Sequence, residues 1–343
     1  MKRNMSPMID DLHFMLRAIT LSLLGLGRTR PNPIVGAVVV DSSGLIVGEG
    51  FHAGKKHAEV LALAATKVPL AGCALYVSLE PCNHYGKTPP CTKAIIDSGI
   101  KKVVFAIDDP NPVAIGGAQA LRDAGIEVIR GIGAHQAAWS NRAWLHKISN
   151  GRPYFIWKIA STIDGVTAAS DGSSQWITGI EARQDGHVLR AQSDAILIGT
   201  GTAIADNPSL LPHLIDDDRR PIRYVMGKRL LPSQSQLLND GHSTTLITSH
   251  NSTELLANLN DLGVNQVLVE SGQVLGTALM HEGLIDEIVL YQAPSIIGAG
   301  SRAIGDLGIS TLSGALNWHF TEVEKIGRDL KVVLTQMSEK VDA

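Results

Sequence analysis

An α/β fold in two domains is what this chain of 343 residues predicts. Apolar strand-like runs alternate with helical stretches through both halves, and 34 glycines supply the turns that such alternation needs. The hydrophobic content of 44% over this length is enough for two separate cores. The alternation restarts after Asn150-Gly151-Arg152-Pro153, which places the domains at 1–150 and 151–343.

The first apolar stretch is residues 14–26, and Leu12, Met15, Leu16, Ile19, Leu23 and Leu26 recur at three- and four-residue spacing, as on one face of a helix. That period predicts a helix packed on a sheet. Arg17 interrupts the stretch and no small-residue cleavage site follows, which argues against a signal peptide. Residues 34–40 read as a buried strand, turned back by Ser42-Ser43-Gly44 into a second strand at 45–50. A helix at 57–65, a strand at 74–79 and a helix opened by Cys91 and ended by Gly99 follow. A strand at 102–107, a helix near 118–124 and a short strand at 127–129 complete the first half. Strands alternating with helices imply a sheet covered on both faces. The second half offers strands at 154–159, 194–198, 222–226, 245–248, 266–270 and 287–291. Between them, the charged segment 214–220 reads as a solvated loop.

The formal net charge of −3 leaves no general basic surface for a nucleic-acid backbone, and aromatics at 4% argue against base stacking. No segment after the first reaches the roughly 18 to 20 apolar residues of a membrane span. Three cysteines give no disulfide framework, which points to a reducing, cytoplasmic setting.

Two of those cysteines belong to the most specific pattern in the chain. His57-Ala58-Glu59 is followed by Pro81-Cys82 and, after a Gly/Pro/polar stretch, by Cys91. One imidazole and two thiolates suit Zn²⁺ and leave a fourth position open for water. Glu59 sits beside the metal without needing to bind it, as a proton shuttle in a zinc deaminase does. Both His57 and Cys91 open helices, where the positive end of the dipole favours thiolate over thiol.

The second half has small-residue turns directly after strands, at Gly199-Thr200-Gly201-Thr202 and at Ser271-Gly272. Such turns let backbone N–H groups approach a phosphate, but Ile204 stands where the third glycine of a dinucleotide fingerprint belongs. The residues alone leave open a cofactor cradle or a tight strand-to-helix connection.

Longer motifs add a resemblance. Arg30-Pro31-Asn32-Pro33-Ile34-Val35-Gly36, His57-Ala58-Glu59-Val60 and Leu79-Glu80-Pro81-Cys82-Asn83-His84-Tyr85-Gly86-Lys87-Thr88-Pro89-Pro90-Cys91 resemble the pyrimidine deaminase of riboflavin biosynthesis. Lys158-Ile159-Ala160-Ser161-Thr162-Ile163-Asp164-Gly165, Ser174-Gln175-Trp176-Ile177-Thr178, Leu189-Arg190-Ala191-Gln192-Ser193, Asp206-Asn207-Pro208 and Val269-Glu270-Ser271-Gly272 resemble its fused reductase. The resemblance implies a cytidine-deaminase-like three-layer αβα domain followed by a dihydrofolate-reductase-like α/β domain. It implies zinc on His57, Cys82 and Cys91, Glu59 as proton shuttle, and a deaminase pocket lined by Asn32, His52, His84, Lys87 and Thr88. For the reductase it implies NADPH held by Ala160, Trp176, Thr202, Asp206 and the turn Gly272, Gln273, Val274, Leu275, Gly276, Thr277 and Ala278. Substrate positions would be Ser174, Arg190, Leu210, His213 and Glu270. The implied partners are small pyrimidine ribosyl phosphates, with no nucleic acid and no membrane, in a homo-oligomer.

Departures accompany the match. The loop from Phe51 to Lys56 is shorter than the family's, His213 stands where arginine is usual, and Gly227-Lys228 replaces the usual Asp-Ser after the fourth strand. A cytidine or tRNA deaminase is the rival enzyme reading, opposed by the long gap between Cys82 and Cys91. A binding protein with a decayed reductase half is the rival of another class.

Overall fold

Side-chain alternation along the central strands decides the architecture of the first half. The computed structural model describes residues 7–336 apart from Lys55, Lys87 and Ala114, and the chain divides into two units, Met1–Gly151 and Arg152–Ala343. The first unit contains α1 (Pro7–Ser22), β1 (Gly36–Val40), β2 (Ile46–Phe51), α2 (Ala58–Ala65), β3 (Ala74–Leu79) and α3 (Cys91–Ser98). It continues with β4 (Lys102–Ile107), α4 (Gly117–Asp123), β5 (Glu127–Arg130), α5 (Ala134–Ser140) and α6 (Arg142–Asn150). Its sheet runs β2-β1-β3-β4-β5, with β1 antiparallel to both neighbours and β3, β4 and β5 parallel.

Val39, Leu75, Val77, Val103 and Phe105 pack with Ala58, Ala62, Ile95 and Leu121 of α2, α3 and α4. The intervening Val38, Val40, Tyr76, Val104 and Ala106 pack with Met15, Ala18 and Ile19 of α1 and Ala137 of α5. A two-residue period with both sets apolar requires helices on both faces, and the result is a three-layer αβα unit. The seat of α1 differs from the expected stripe. Met15, Ala18, Ile19 and Ser22 are buried, while Leu12, Leu16 and Leu23 remain partly exposed. The helix settles on the face of Met15, Ala18, Ile19 and Ser22, a choice that the spacing of its leucines does not reveal.

Close packing of α2 on β2 fixes the start of that helix. A Cβ built on Gly50 lies 2.4 Å from the Ala58 carbonyl oxygen, and one on Gly48 lies 2.3 Å from that of Ala62. Only glycine admits this approach, so the two glycines hold His57 and Glu59 at their height above the sheet.

The second unit contains β6 (Tyr154–Thr162), β7 (Val166–Ala169), α7 (Ile180–Gln192), β8 (Ala195–Gly199), α8 (Thr200–Asp206) and β9 (Ile222–Met226). Then come α9 (Gln236–Asn239), β10 (Thr244–Ile247), α10 (Ser252–Asp261), β11 (Gln266–Val269), α11 (Gln273–His281) and β12 (Glu287–Ala293). It closes with β13 (Gly300–Arg302), β14 (Trp318–Ile326) and β15 (Asp329–Gln336). An eight-stranded sheet runs β10-β9-β8-β11-β6-β12-β15-β14, parallel from β10 to β12 and antiparallel beyond. Its larger core joins Phe155, Trp157 and Ile159 to Leu255 and Leu259 of α10 and Leu279 and Met280 of α11.

The strands β7, β13, β14 and β15 are absent from the sequence reading. β14 is exposed along almost its whole length, so its residues carry no alternation to detect. The parallel strands end together, at Gly199, Met226 and Val269, which is where open α/β sheets bind ligands.

Candidate active sites

In the first unit, three helix and loop ends converge. His57 is the N-cap of α2, Cys91 is the first residue of α3, and Cys82 lies in the loop that leaves β3. His57 Nδ1 is 3.1 Å from Cys91 Sγ and 3.6 Å from Cys82 Sγ. Tetrahedral zinc, with bonds of about 2.1 Å to nitrogen and 2.3 Å to sulfur, separates such donors by about 3.5 Å. The trio therefore fits zinc in both chemistry and spacing. The Cys91 backbone N–H donates to Cys82 Sγ at 3.4 Å, and the two sulfurs are hydrogen-bonded to each other. Their hydrogen bond holds Cys82 down, to about 4, with help from His57, and pushes Cys91 up.

Glu59, in the first turn of α2, is buried, and burial raises its carboxyl above the usual range. The His52 ring stands edge-on to His57 with centroids 5.3 Å apart. Burial, with the charge of His57, lowers His52 to about 4, so it is neutral near pH 7. Among the described residues His52 Nε2 and His84 Nδ1 are buried with no hydrogen-bond partner, as side chains awaiting a polar ligand are. Asn32 is exposed and Thr88 half-buried, with the Thr88 carbonyl accepting from Gly86 N–H; Lys87 lies outside the described residues.

In the second unit, one cavity of about 920 Å³ opens beyond the ends of the parallel strands. It gathers the expected Ala160, Trp176, Thr202 and Asp206 with Ser174, Arg190, Leu210, His213 and Glu270. Arg190, on α7, grips Glu270 with both arms of its guanidinium, at 2.5 and 2.9 Å. Burial would raise Glu270, but Arg190 prevails and holds it at about 2. Leu210 adopts φ of 60°, and Trp176, 64% exposed, carries the Arg183 guanidinium 4.4 Å above its ring.

The expected turn from Gly272 to Ala278 is instead the first two turns of α11, and it divides by helix face. Gly272, Gln273, Val274, Leu275 and Ala278 line the cavity, whereas Gly276 and Thr277 do not. A Cβ on Gly276 falls 2.0 Å from the Trp157 ring, so this glycine lets α11 sit down on β6. Thr277 Oγ1 accepts from Gly305 N–H at 2.8 Å. Above them Trp157 Nε1 donates to the Ser271 carbonyl, and Gly272 N–H donates to Thr202 Oγ1, which joins the two small-residue turns.

Three further residues belong to these sites. Glu80 accepts the Ala118 N–H at 2.8 Å and the Asp109 N–H at 3.3 Å, tying the start of α4 to the Pro81-Cys82 loop. Lys158 lines the second unit's cavity, and burial lowers its ammonium despite Glu270. A lysine inside the apolar run of β6 was its one visible signal. His187 accepts the Leu214 N–H on Nδ1 at 3.3 Å and meets His213 edge-on, with centroids 4.5 Å apart. Nothing in the polar sequence of α7 marks it.

Residues 8–107 match the family described as cytidine and deoxycytidylate deaminase zinc-binding region, and residues 153–332 match the RibD C-terminal domain. The riboflavin biosynthesis protein RibD of Mycobacterium tuberculosis is 46% identical over 314 residues, covering 90% of this chain and 92% of its own. The chain belongs to the RibD family. The RibD of Escherichia coli is 37% identical, with 94% and 98% of the two chains covered. Among solved structures, Acinetobacter baumannii RibD superposes with a TM-score of 0.86 at 36% identity, covering 96% of this chain and 100% of that one. A diaminohydroxyphosphoribosylaminopyrimidine deaminase/5-amino-6-(5-phosphoribosylamino)uracil reductase from Thermotoga maritima gives a TM-score of 0.85 at 33% identity, covering 96% and 99%. As a RibD, the chain is a bifunctional enzyme of riboflavin biosynthesis, a zinc-binding deaminase joined to an NADPH-using reductase. Among the described residues no helix is long and apolar enough to cross a membrane.

Proposed function

We propose that the first unit deaminates 2,5-diamino-6-(5-phosphoribosylamino)pyrimidin-4-one at ring carbon 2, and that the second reduces the ribosyl group of the resulting uracil to ribityl. The observation that carries this reading is the trio His57, Cys82 and Cys91 beside the buried Glu59. His57, Cys82 and Cys91 would hold zinc, which would supply a Lewis acid for the activation of water. Glu59, its carboxyl raised by burial, accepts the proton released as water adds to the ring carbon and returns it to the departing amine. Ammonia leaves, and the water oxygen stays as the new carbonyl. The unpartnered nitrogens of His52 and His84 support a role in orienting the pyrimidine, with Asn32, Lys87 and Thr88 around it.

NADPH bound in the second cavity supplies the hydride. Ala160, Trp176, Thr202, Asp206 and the cavity face of α11 hold it, and Ser174, Leu210, His213, Arg190 and Glu270 hold the sugar phosphate. His187 Nε2 lies 3.4 Å from Arg190 Nη1, a group that can only donate. The Arg190 guanidinium at this corner suits an anionic acceptor, which supports it as the phosphate seat. Lys158 is placed to hold the proton that accompanies the hydride.

The reading extends to a homo-oligomer in the cytoplasm. The exposed edge strand β14, with Phe320 71% and Val323 60% exposed, supports self-association, and three free cysteines support a reducing compartment. Separate assays test the two activities: ammonia release from the diaminopyrimidine phosphate, and NADPH oxidation with the deaminated compound. Zinc-loaded, folded protein that does neither would refute the proposal.

A further inference from the structure

We infer that Lys228 and Arg229 form the seat for the 2′-phosphate of NADPH and set this enzyme's preference for NADPH over NADH. The inference rests on the reductase reading above and adds the residues that discriminate between the two cofactors. Both side chains line the cavity, from the loop that leaves β9. Gly227 makes that loop possible. Its φ is 137°, and a Cβ there would lie 2.6 Å from Thr200 Oγ1, so the backbone turns hard against the first residue of α8 before the two cations emerge. Arg229 then reaches back across the same helix end, since a Cβ on Gly201 would lie 2.8 Å from its Nη2.

The charge at this rim is unopposed. Among the described residues neither Lys228 nor Arg229 makes an ion pair with a carboxylate, whereas Arg190, Arg219 and Arg223 are each paired. Asp206, Glu270 and Glu282 are the carboxylates lining the cavity; Asp206 and Glu270 interact with Lys158, and Glu282 makes no ion pair with Lys228 or Arg229 among the described residues. In Rossmann-type sites an acid binds the ribose 2′-hydroxyl of NADH and a nearby arginine accommodates the 2′-phosphate of NADPH, and the same charge logic holds for any 2′-phosphate seat. Here the strand ends Met226-Gly227-Lys228-Arg229, with no acid. Ser252, the first residue of α10, lies on the same rim and adds a helix N-terminus to the positive field.

The position also separates the cofactor's phosphate from the substrate's. In sheet order β9 lies beyond β8 and away from β11, whereas Glu270 and its partner Arg190 are at the end of β11. A dinucleotide whose pyrophosphate rests on the turns after β8 and β11 would direct its adenosine ribose toward β9. The replacement of the family's Asp-Ser by Gly227-Lys228 is then a change in how the 2′-phosphate is held. It is no mark of a decayed reductase.

The test is calorimetric titration of the full chain with NADPH, NADH, 2′,5′-ADP and 5′-AMP, for the natural sequence, Lys228→Ser and Arg229→Ser. Each loss of a charged phosphate contact is expected to weaken NADPH and 2′,5′-ADP about tenfold or more. Binding of NADH and 5′-AMP should stay within about twofold, and KM for the deaminated substrate should not move. An unchanged NADPH-to-NADH ratio in both variants overturns the inference, as does a rise in substrate KM without loss of 2′,5′-ADP binding. Equal weakening of all four ligands assigns the pair a structural role and also overturns it. If the natural protein binds neither dinucleotide, the reductase reading itself fails.

Discussion

Arg190 and Glu270, eighty residues apart in sequence, meet in a two-armed ion pair of 2.5 and 2.9 Å at the floor of the reductase cavity. The pair is largely buried, so removing one partner leaves an uncompensated charge. A carboxyl lowered from 4.5 to about 2 contributes on the order of 3 kcal/mol to stability. Because its folded pKa is depressed, that contribution is present above about 4.5 and is lost as pH falls toward about 2. Glu270→Gln should therefore lower the thermal midpoint at pH 7, with the gap to the natural protein closing below pH 4. A constant gap across that range would count against the pair as a stabilising element.

The pair also shows what could be read in advance. Glu270 and Arg190 each stood in a recognisable motif, but their contact depends on β11 and α7 being brought together by the sheet. The zinc donors were legible because two of them lie in one short loop and the third opens a helix beside its glutamate. Gly276 and Thr277 lie off the cavity because the stretch that reads as a turn is a helix, and a helix turns only one face to a cavity. Lys158 and His187 escaped since burial, which gives them their properties, is a fact of the tertiary structure. The exposed hairpin of β14 and β15 escaped because one of its strands has no buried face to impose a period.

Metal content follows from the donor spacing. Purified protein should carry about one zinc per chain, and a Cys82→Ser/Cys91→Ser double variant should carry almost none. Elemental analysis decides this, and full retention of zinc in the double variant would exclude the trio.

Glu59→Gln should keep zinc yet lose deamination by about 10²- to 10⁴-fold, since the amide cannot shuttle a proton. Reduction of supplied deaminated substrate should persist, because the second unit has its own core and cavity. Ammonia release and NADPH oxidation, measured on the same preparation, separate the two outcomes.

His213 hydrogen-bonds through Nδ1 with the Leu211 carbonyl region and packs on the neutral ring of His187, which burial and then Arg190 lower to about 4. Arginine at this place brings a permanent charge and a planar fork for phosphate. His213→Arg should lower the reductase KM about three- to tenfold with kcat little changed. Steady-state kinetics with the deaminated substrate check it, and an unchanged KM would remove His213 from the phosphate seat.

The central claim is that one chain carries out hydrolysis and then reduction on the same pyrimidine ribosyl phosphate. Product analysis by mass spectrometry tests it directly, with the diaminopyrimidine phosphate incubated with and without NADPH. Without NADPH the deaminated ribosyl compound should accumulate and stop there; with NADPH it should pass on to the ribityl compound. Unaltered starting material in both incubations, or a deaminated product that NADPH never carries further, would contradict the account.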